Sequence, residues 1–184
     1  MSELAELARA LRERRWFVFG AHAVGVWALP RQTLDIDVVV DVSDAELPAL
    51  LDDLARSGFQ PRAPDPLQFA LTYRVIPLAS ERGGTVDVVL AGTTFERDAL
   101  SAATIATVLG VSVPVVTADY LVVFKLGSDR AKDGEDARAV IRAQADHLDA
   151  GLIRSHLRDL EVAMDRSDLV TEFNALLARH RTRP

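Results

Sequence analysis

The chain has 184 residues, a formal net charge of -6, 49% hydrophobic and 26% charged residues, and no cysteine. That length buries a real core and favours one domain, or one domain with a helical extension, while the composition excludes a disordered chain. The charge excludes strong non-specific attraction to nucleic acid except through a local patch, and the missing cysteine excludes disulfides and thiolate metal sites.

Leu4, Leu7 and Leu11 recur at helical spacing and predict an amphipathic helix that stops near Arg15. Glu3, Glu6 and Glu13 interrupt the same stretch, so no signal peptide is expected. Trp16 to Phe19 is a compact apolar run ending at Gly20, and the Ala- and Val-rich segment from Ala21 to Leu29 predicts a buried helix closed by Pro30. From Leu34 to Val40 β-branched residues predict a second strand. Ser43 or Asp44 then caps a helix carrying Leu47, Leu50, Leu51 and Leu54 as far as Gly58.

Gln68 to Ile76 and Thr85 to Leu90 are expected as two strands joined by a Gly83-Gly84 hairpin turn, antiparallel to one another. Residues 104–116 are rich in valine and threonine but contain Gly110 and Pro114, and are expected as short strands or an irregular crossing. The same two residues break the Ala102 to Ala118 run, so no membrane span is expected and a cytoplasmic location is. Beyond Thr117 the pattern is helical, with breaks near residues 127–134, 149–151 and 165–168, and residues 179–184 form a loose tail. The expected class is α+β: a mixed-sheet α/β core over 1–116 and a helical region over 117–184 that completes the site.

In Leu34-Asp35-Ile36-Asp37-Val38 the side chains alternate, so both acids share one face and the apolar residues share the other. Strand rise sets their Cα atoms roughly 6 to 7 Å apart, where like charges repel unless a cation lies between them. Thr85-Val86-Asp87-Val88 repeats the arrangement on a strand that can lie beside the first. Three carboxylates of this kind suit two divalent ions about 3.5 to 4 Å apart, which clamp the attacking and leaving oxygens of phosphoryl transfer. An isolated D-x-D more often faces solvent at a sheet edge; the third acid is what favours a metal site.

Gly20 lets the backbone approach a ligand, and amide groups of the helix starting at Ala21 can face a phosphate, although a glycine there serves the turn equally well. Arg31 and Thr33 precede the acidic strand and offer a guanidinium and a hydroxyl to phosphate oxygens. All but two of the 21 Lys and Arg residues are arginine, and the two lysines, Lys125 and Lys132, lie close together in sequence. Lys125 follows the apolar run 121–124 and suits a moving phosphate. Asp133 and Asp136 form D-x-x-D, with Asp133 expected to cap a helix and Asp136 to orient Lys125 or Arg130 by an ion pair. His22, His147, His156 and His180 are dispersed, so a zinc site is not expected. No G-x-S-x-G, P-loop or G-x-G-x-x-G motif is present.

Together, Phe19-Gly20-Ala21, Arg31-Gln32-Thr33-Leu34-Asp35-Ile36-Asp37 and Val86-Asp87-Val88 resemble the polymerase-β-like nucleotidyltransferase superfamily. Lys125-Leu126, Arg130-Ala131-Lys132-Asp133 and Asp136 are similar to the downstream motifs of its AbiEii-type branch, found among toxins of toxin-antitoxin systems. The resemblance spans about residues 16–140. It implies that Asp35 and Asp37 hold Mg²⁺ or Mn²⁺ and the nucleotide. It further implies that Asp87 completes the site and helps activate an attacking hydroxyl, and that Lys125 and Asp133 assist nearby. Where the superfamily carries a second Gly or a Ser, this chain carries Ala21, which has no hydroxyl and narrows the turn.

The first expectation is transfer of a nucleoside monophosphate from an NTP to a hydroxyl of RNA, protein or a small molecule, with an antitoxin protein as a possible partner. Ala21 and the acidic charge motivate a second, a binding or regulatory module that keeps the fold without turnover. The third is an aminoglycoside-type nucleotidyltransferase, whose cationic acceptor an acidic pocket attracts.

Overall fold

A computed structural model describes residues 2–30 and 32–181. Its contacts divide the chain into two units, Met1–Ala23 with Arg31–Val116, and Val24–Pro30 with Thr117–Pro184.

The first unit holds a seven-stranded mixed sheet. Its strands are β1 (Trp16–Val18), β2 (Asp35–Val40), β3 (Phe59–Pro61), β4 (Val75–Ser80), β5 (Thr85–Leu90), β6 (Thr104–Val108) and β7 (Val111–Val115). They are ordered β3-β4-β5-β2-β1-β7-β6. β2 is central: it pairs parallel to β5 and antiparallel to β1. Alternation fixes the faces, because Ile36, Val38, Val86 and Val88 are fully or almost fully buried while Asp37, Thr85 and Asp87 are only partly covered.

Helix α1 (Glu3–Ala10) buries Leu4 and Leu7, and Leu11 at its C-cap is buried as well, each contributing about 1.5–3 kcal/mol. It packs on α3 (Leu47–Arg56), which buries Leu47, Leu50 and Leu54. Before α3, Glu46 accepts hydrogen bonds from the Ser43 backbone N–H at 2.9 Å and from the Ser43 hydroxyl, a local closure that starts the turn. Between β1 and β2 runs α2 (Gly20–Trp27), the strand-turn-helix expected from sequence.

One segment differs from expectation, one helix was not anticipated, and residues 104–116 take the first of their two expected forms, short strands. Residues expected to open a long strand at Gln68 instead form α4 (Pro66–Tyr73), and β4 begins only at Val75. Asp65 explains the change: its carboxylate accepts the Gln68 N–H at 3.0 Å, and Pro66 supplies a pre-set φ for the first turn. A further helix, α5 (Thr94–Ala102), starts at a capping box in which the Glu96 carboxylate reaches back to the Thr93 N–H and the Thr93 hydroxyl accepts the Glu96 N–H. Residues 104–115 form a regular hairpin of β6 and β7, because Leu109 and Gly110 both take positive φ, 49° and 77°, as a two-residue turn demands. The β4-β5 hairpin is antiparallel, as read from Gly83-Gly84.

The second unit gathers α6 (Ala118–Leu126), α7 (Ala131–Gln144), α8 (Ala150–Met164) and α9 (Leu169–His180). The breaks between them fall close to those expected. α6 is apolar nearly all round and buries Leu121, Val122, Val123 and Leu126. α7 packs against α6 and α9, and α8 packs against the same two helices. No described helix is long and apolar enough to cross a membrane.

Candidate active site

In the first unit, Asp37 and Asp87 are direct register partners on the parallel strands β2 and β5, and Asp35 pairs with Thr85. Partners in a parallel ladder point to the same side, and neighbouring strands lie about 4.8 Å apart. The sheet therefore brings the sequence-selected acids onto one face. Among the described residues, no group of three His, Cys, Asp or Glu side chains is gathered as a ready metal cluster. Two of the acids have side-chain partners: the Thr85 hydroxyl donates to Asp35, and Arg62 holds Asp87 Oδ1 at 2.8 Å. The Asp87 and Arg62 side chains are 41% and 46% exposed.

Gly20 opens α2 at φ +61°, a conformation in which other residues are strained. A Cβ placed there meets Asp37 Oδ2 at 1.9 Å. The glycine thus makes room for an acid of the site, a role that chain spacing alone does not disclose. The Phe19 N–H also donates to the Asp37 carbonyl at 2.9 Å, extending the β1-β2 ladder to this point. Ala21 is buried. Thr33 turns back on its own chain, accepting the Asp35 N–H at 3.3 Å. Arg31 lies outside the described residues.

In the second unit, Lys125, Asp133 and Asp136 form a buried ion triad. Lys125 Nζ lies 2.5 Å from Asp133 Oδ1 and 2.9 Å from Asp136 Oδ2, with side chains 9%, 10% and 6% exposed. Ser128 adds a hydroxyl donor to Asp133 Oδ2 at 2.7 Å. Asp133 is therefore not the helix cap expected from D-x-x-D; the cap position is Arg130, with no side-chain capping bond. The reason is visible in the helix periodicity, since Asp133, Asp136, Ala137, Val140 and Ile141 form one buried stripe that carries both carboxylates inward. Burial works to raise the Asp133 pKa, but hydrogen bonds from Lys125 and Ser128, with the positive charges of Lys125 and Arg130, outweigh it and hold the carboxyl below its ordinary value. Asp136 reaches Lys125, as read from sequence. Lys132 is exposed and makes no ion pair among the described residues.

Sequence reasoning passed over Arg62, Thr85 and Ser128. Thr85 had a signal, since it stands two residues before Asp87 as Asp35 does before Asp37. Arg62 had none, because its relation to Asp87 exists only through the sheet.

Neither a family model nor a curated protein matches the chain. Solved structures do, among them the following three. The antibiotic-resistance factor ANT(2'')-Ia aligns with a TM-score of 0.56 at 12% identity, covering 96% of this chain and 94% of its own. A nucleotidyltransferase-like protein from Paracoccidioides brasiliensis aligns with a TM-score of 0.52 at 16% identity over 98% and 91%. The lincomycin-bound lincosamide antibiotic adenylyltransferase LnuA aligns at 0.51 and 16% over 76% and 96%. The chain has the nucleotidyltransferase fold. Within that fold, Gly20, Asp35, Asp37 and Asp87 share one sheet neighbourhood, and Lys125, Asp133 and Asp136 share one helical core.

Proposed function

We propose that this chain is a metal-dependent nucleotidyltransferase that transfers a nucleoside monophosphate from an NTP to a hydroxyl. The observation that carries the reading is the Asp37-Asp87 register pair, with Asp35 two residues away on the same face and Gly20 packed against Asp37. The oxygen-only donor set fits Mg²⁺ or Mn²⁺, hard cations that favour carboxylates. When bound, the cation supplies charge neutralisation for the triphosphate and for the leaving pyrophosphate.

In this reading Asp35 and Asp37 hold the cation and orient the nucleotide, while Asp87 also accepts the proton of the attacking hydroxyl. Thr85 fixes the Asp35 carboxylate by its hydrogen bond. The amide groups opening α2 at Gly20 and Ala21, with Thr33 and Arg31 before β2, bind phosphate. Lys125 and Lys132 supply positive charge, with Asp133 and Asp136 holding Lys125 in place. Residues 1–116 form the catalytic core, followed by the helical region 117–184, in a cytoplasmic enzyme.

The acceptor is a hydroxyl of RNA, protein or a small molecule. Similarity of Lys125-Leu126, Arg130 to Asp133 and Asp136 to AbiEii-type motifs supports a toxin whose partner is an antitoxin protein. The likeness to two antibiotic-related structures supports a small-molecule acceptor instead. Incubation with labelled NTPs, Mg²⁺ and fractionated RNA, protein or small-molecule pools tests the reading. Label should enter one pool with wild type and not with Asp35→Asn; equal labelling by both excludes it.

Ala21 favours a second reading, a module that binds nucleotide or a protein partner without turnover, because a buried methyl replaces a hydroxyl in the turn. Restoring the hydroxyl with Ala21→Ser separates the two. Turnover seen only in that variant supports the binding module, and turnover by wild type eliminates it.

A further inference from the structure

Arg62, Pro77 and Asp87 form one row across three strands. The Arg62 N–H donates to the Pro77 carbonyl at 2.8 Å just past the end of β3, and Pro77 of β4 is the register partner of Asp87 on β5. Arg62 therefore stands two strands, about 9.6 Å, from the acid it binds, a span that a long side chain bridges. Its guanidinium lies on Asp87 Oδ1 at 2.8 Å. That oxygen belongs to the acid paired with Asp37, so a cation held by Asp37 and Asp87 would meet the guanidinium on the same carboxylate.

Resting on the metal-dependent reading above, we infer that Arg62 is a positioning residue that competes with the divalent cation for Asp87. The guanidinium offsets the charge of Asp87 and occupies its Oδ1. Cation binding displaces the guanidinium, so occupancy of the site carries a penalty set by the Arg62-Asp87 pair. Because both side chains are substantially exposed, that pair is of the weakly coupled kind, equivalent to roughly a two- to fivefold change in affinity. A residue that only supported the fold would act in the opposite sense, since its loss would loosen the site and weaken cation binding.

The test titrates Mn²⁺ into the 184-residue chain, followed by the electron paramagnetic resonance of free Mn²⁺. The proteins are wild type, Arg62→Gln, Arg62→Lys and each of these with Asp87→Asn. Arg62→Gln should bind Mn²⁺ about two to five times more tightly than wild type, and Arg62→Lys should stay near wild type because the charge remains. On the Asp87→Asn background the gain should vanish. Equal or weaker binding by Arg62→Gln, in a variant whose melting temperature shows it folded, overturns the inference and leaves the metal site standing; so does a gain that persists with Asn at 87. Absence of Mn²⁺ binding by wild type and every variant overturns the metal-dependent reading and this inference together.

Discussion

The carboxylate of Asp37 occupies the space where any side chain at position 20 would begin, with Oδ2 only 1.9 Å from a Cβ built on Gly20. Two requirements meet at one residue, a left-handed φ of +61° and the absence of a Cβ. Gly20→Ala should therefore lose about 1–2 kcal/mol from backbone conformation alone, plus whatever is needed to turn Asp37 aside. Urea denaturation measures the loss. Nucleotide binding should fall with it, because Asp37 must leave its place; an alanine variant as stable and as tightly binding as wild type would show that the close approach is unimportant.

Lys125 is surrounded by two acids in the helical core, so its removal strands both. Lys125→Ala should destabilise the chain by about 3–5 kcal/mol, the range for breaking a buried ion pair from one side. Replacing the triad together, as Lys125→Met, Asp133→Leu and Asp136→Leu, should recover most of that loss. If transfer remains absent from the restabilised triple variant, Lys125 serves the chemistry as well as the core; if transfer returns, its role is structural.

Acid titration should separate two carboxylates of the second unit. Asp133 is held below its ordinary pKa, so its stabilisation is complete above the unfolded value near 4 and is lost as pH falls through the lower folded value. Asp133→Asn should flatten the loss of stability below about pH 4. Asp119 behaves oppositely: burial, aided by the neighbouring Asp149 charge, raises its pKa although it accepts the Asp149 N–H at 2.8 Å. Its folded form binds more protons across the window between the unfolded and raised values, so stability falls as pH rises through that window. Asn can accept the same N–H without the charge, and Asp119→Asn should raise the melting temperature at pH 7 and lose that advantage in acid. A melting temperature that falls at pH 7 would contradict the sign.

The Thr85 hydroxyl fixes the Asp35 carboxylate from the neighbouring strand. Thr85→Val keeps the β-branched shape and removes the donor. It should lower transfer about tenfold, the equivalent of one hydrogen bond to a charged group, roughly 1.5 kcal/mol. Thr85→Ser should retain most activity. Rates measured with both variants at saturating Mg²⁺ check this, and a valine variant with wild-type turnover would remove Thr85 from the site.

Much of this site was legible because strands alternate. Asp35, Asp37 and Asp87 could be placed on a common face from the apolar residues between them, and the breaks between the helices of the second unit follow from their glycines and aspartates. The strand expected at Gln68 failed because a local cap at Asp65 outcompeted β-rich composition. D-x-x-D suggests a cap at Asp133, but the apolar stripe that continues from Ala137 to Ile141 carries that residue inward. Arg62 was invisible for a different reason: its place beside Asp87 depends on β3 pairing with β4 and β4 with β5, which no local pattern encodes.

Crystals of the chain grown with Mg²⁺ and a non-hydrolysable NTP analogue give the most direct measurement, the distances from bound metal to the three acids. Carboxylate oxygens of Asp35, Asp37 and Asp87 are expected at about 2.0–2.1 Å from Mg²⁺, with the triphosphate beside Gly20 and Arg62 released from Asp87. A nucleotide seated elsewhere, or a soaked crystal in which Asp87 keeps Arg62 and touches no cation, would contradict the proposed chemistry.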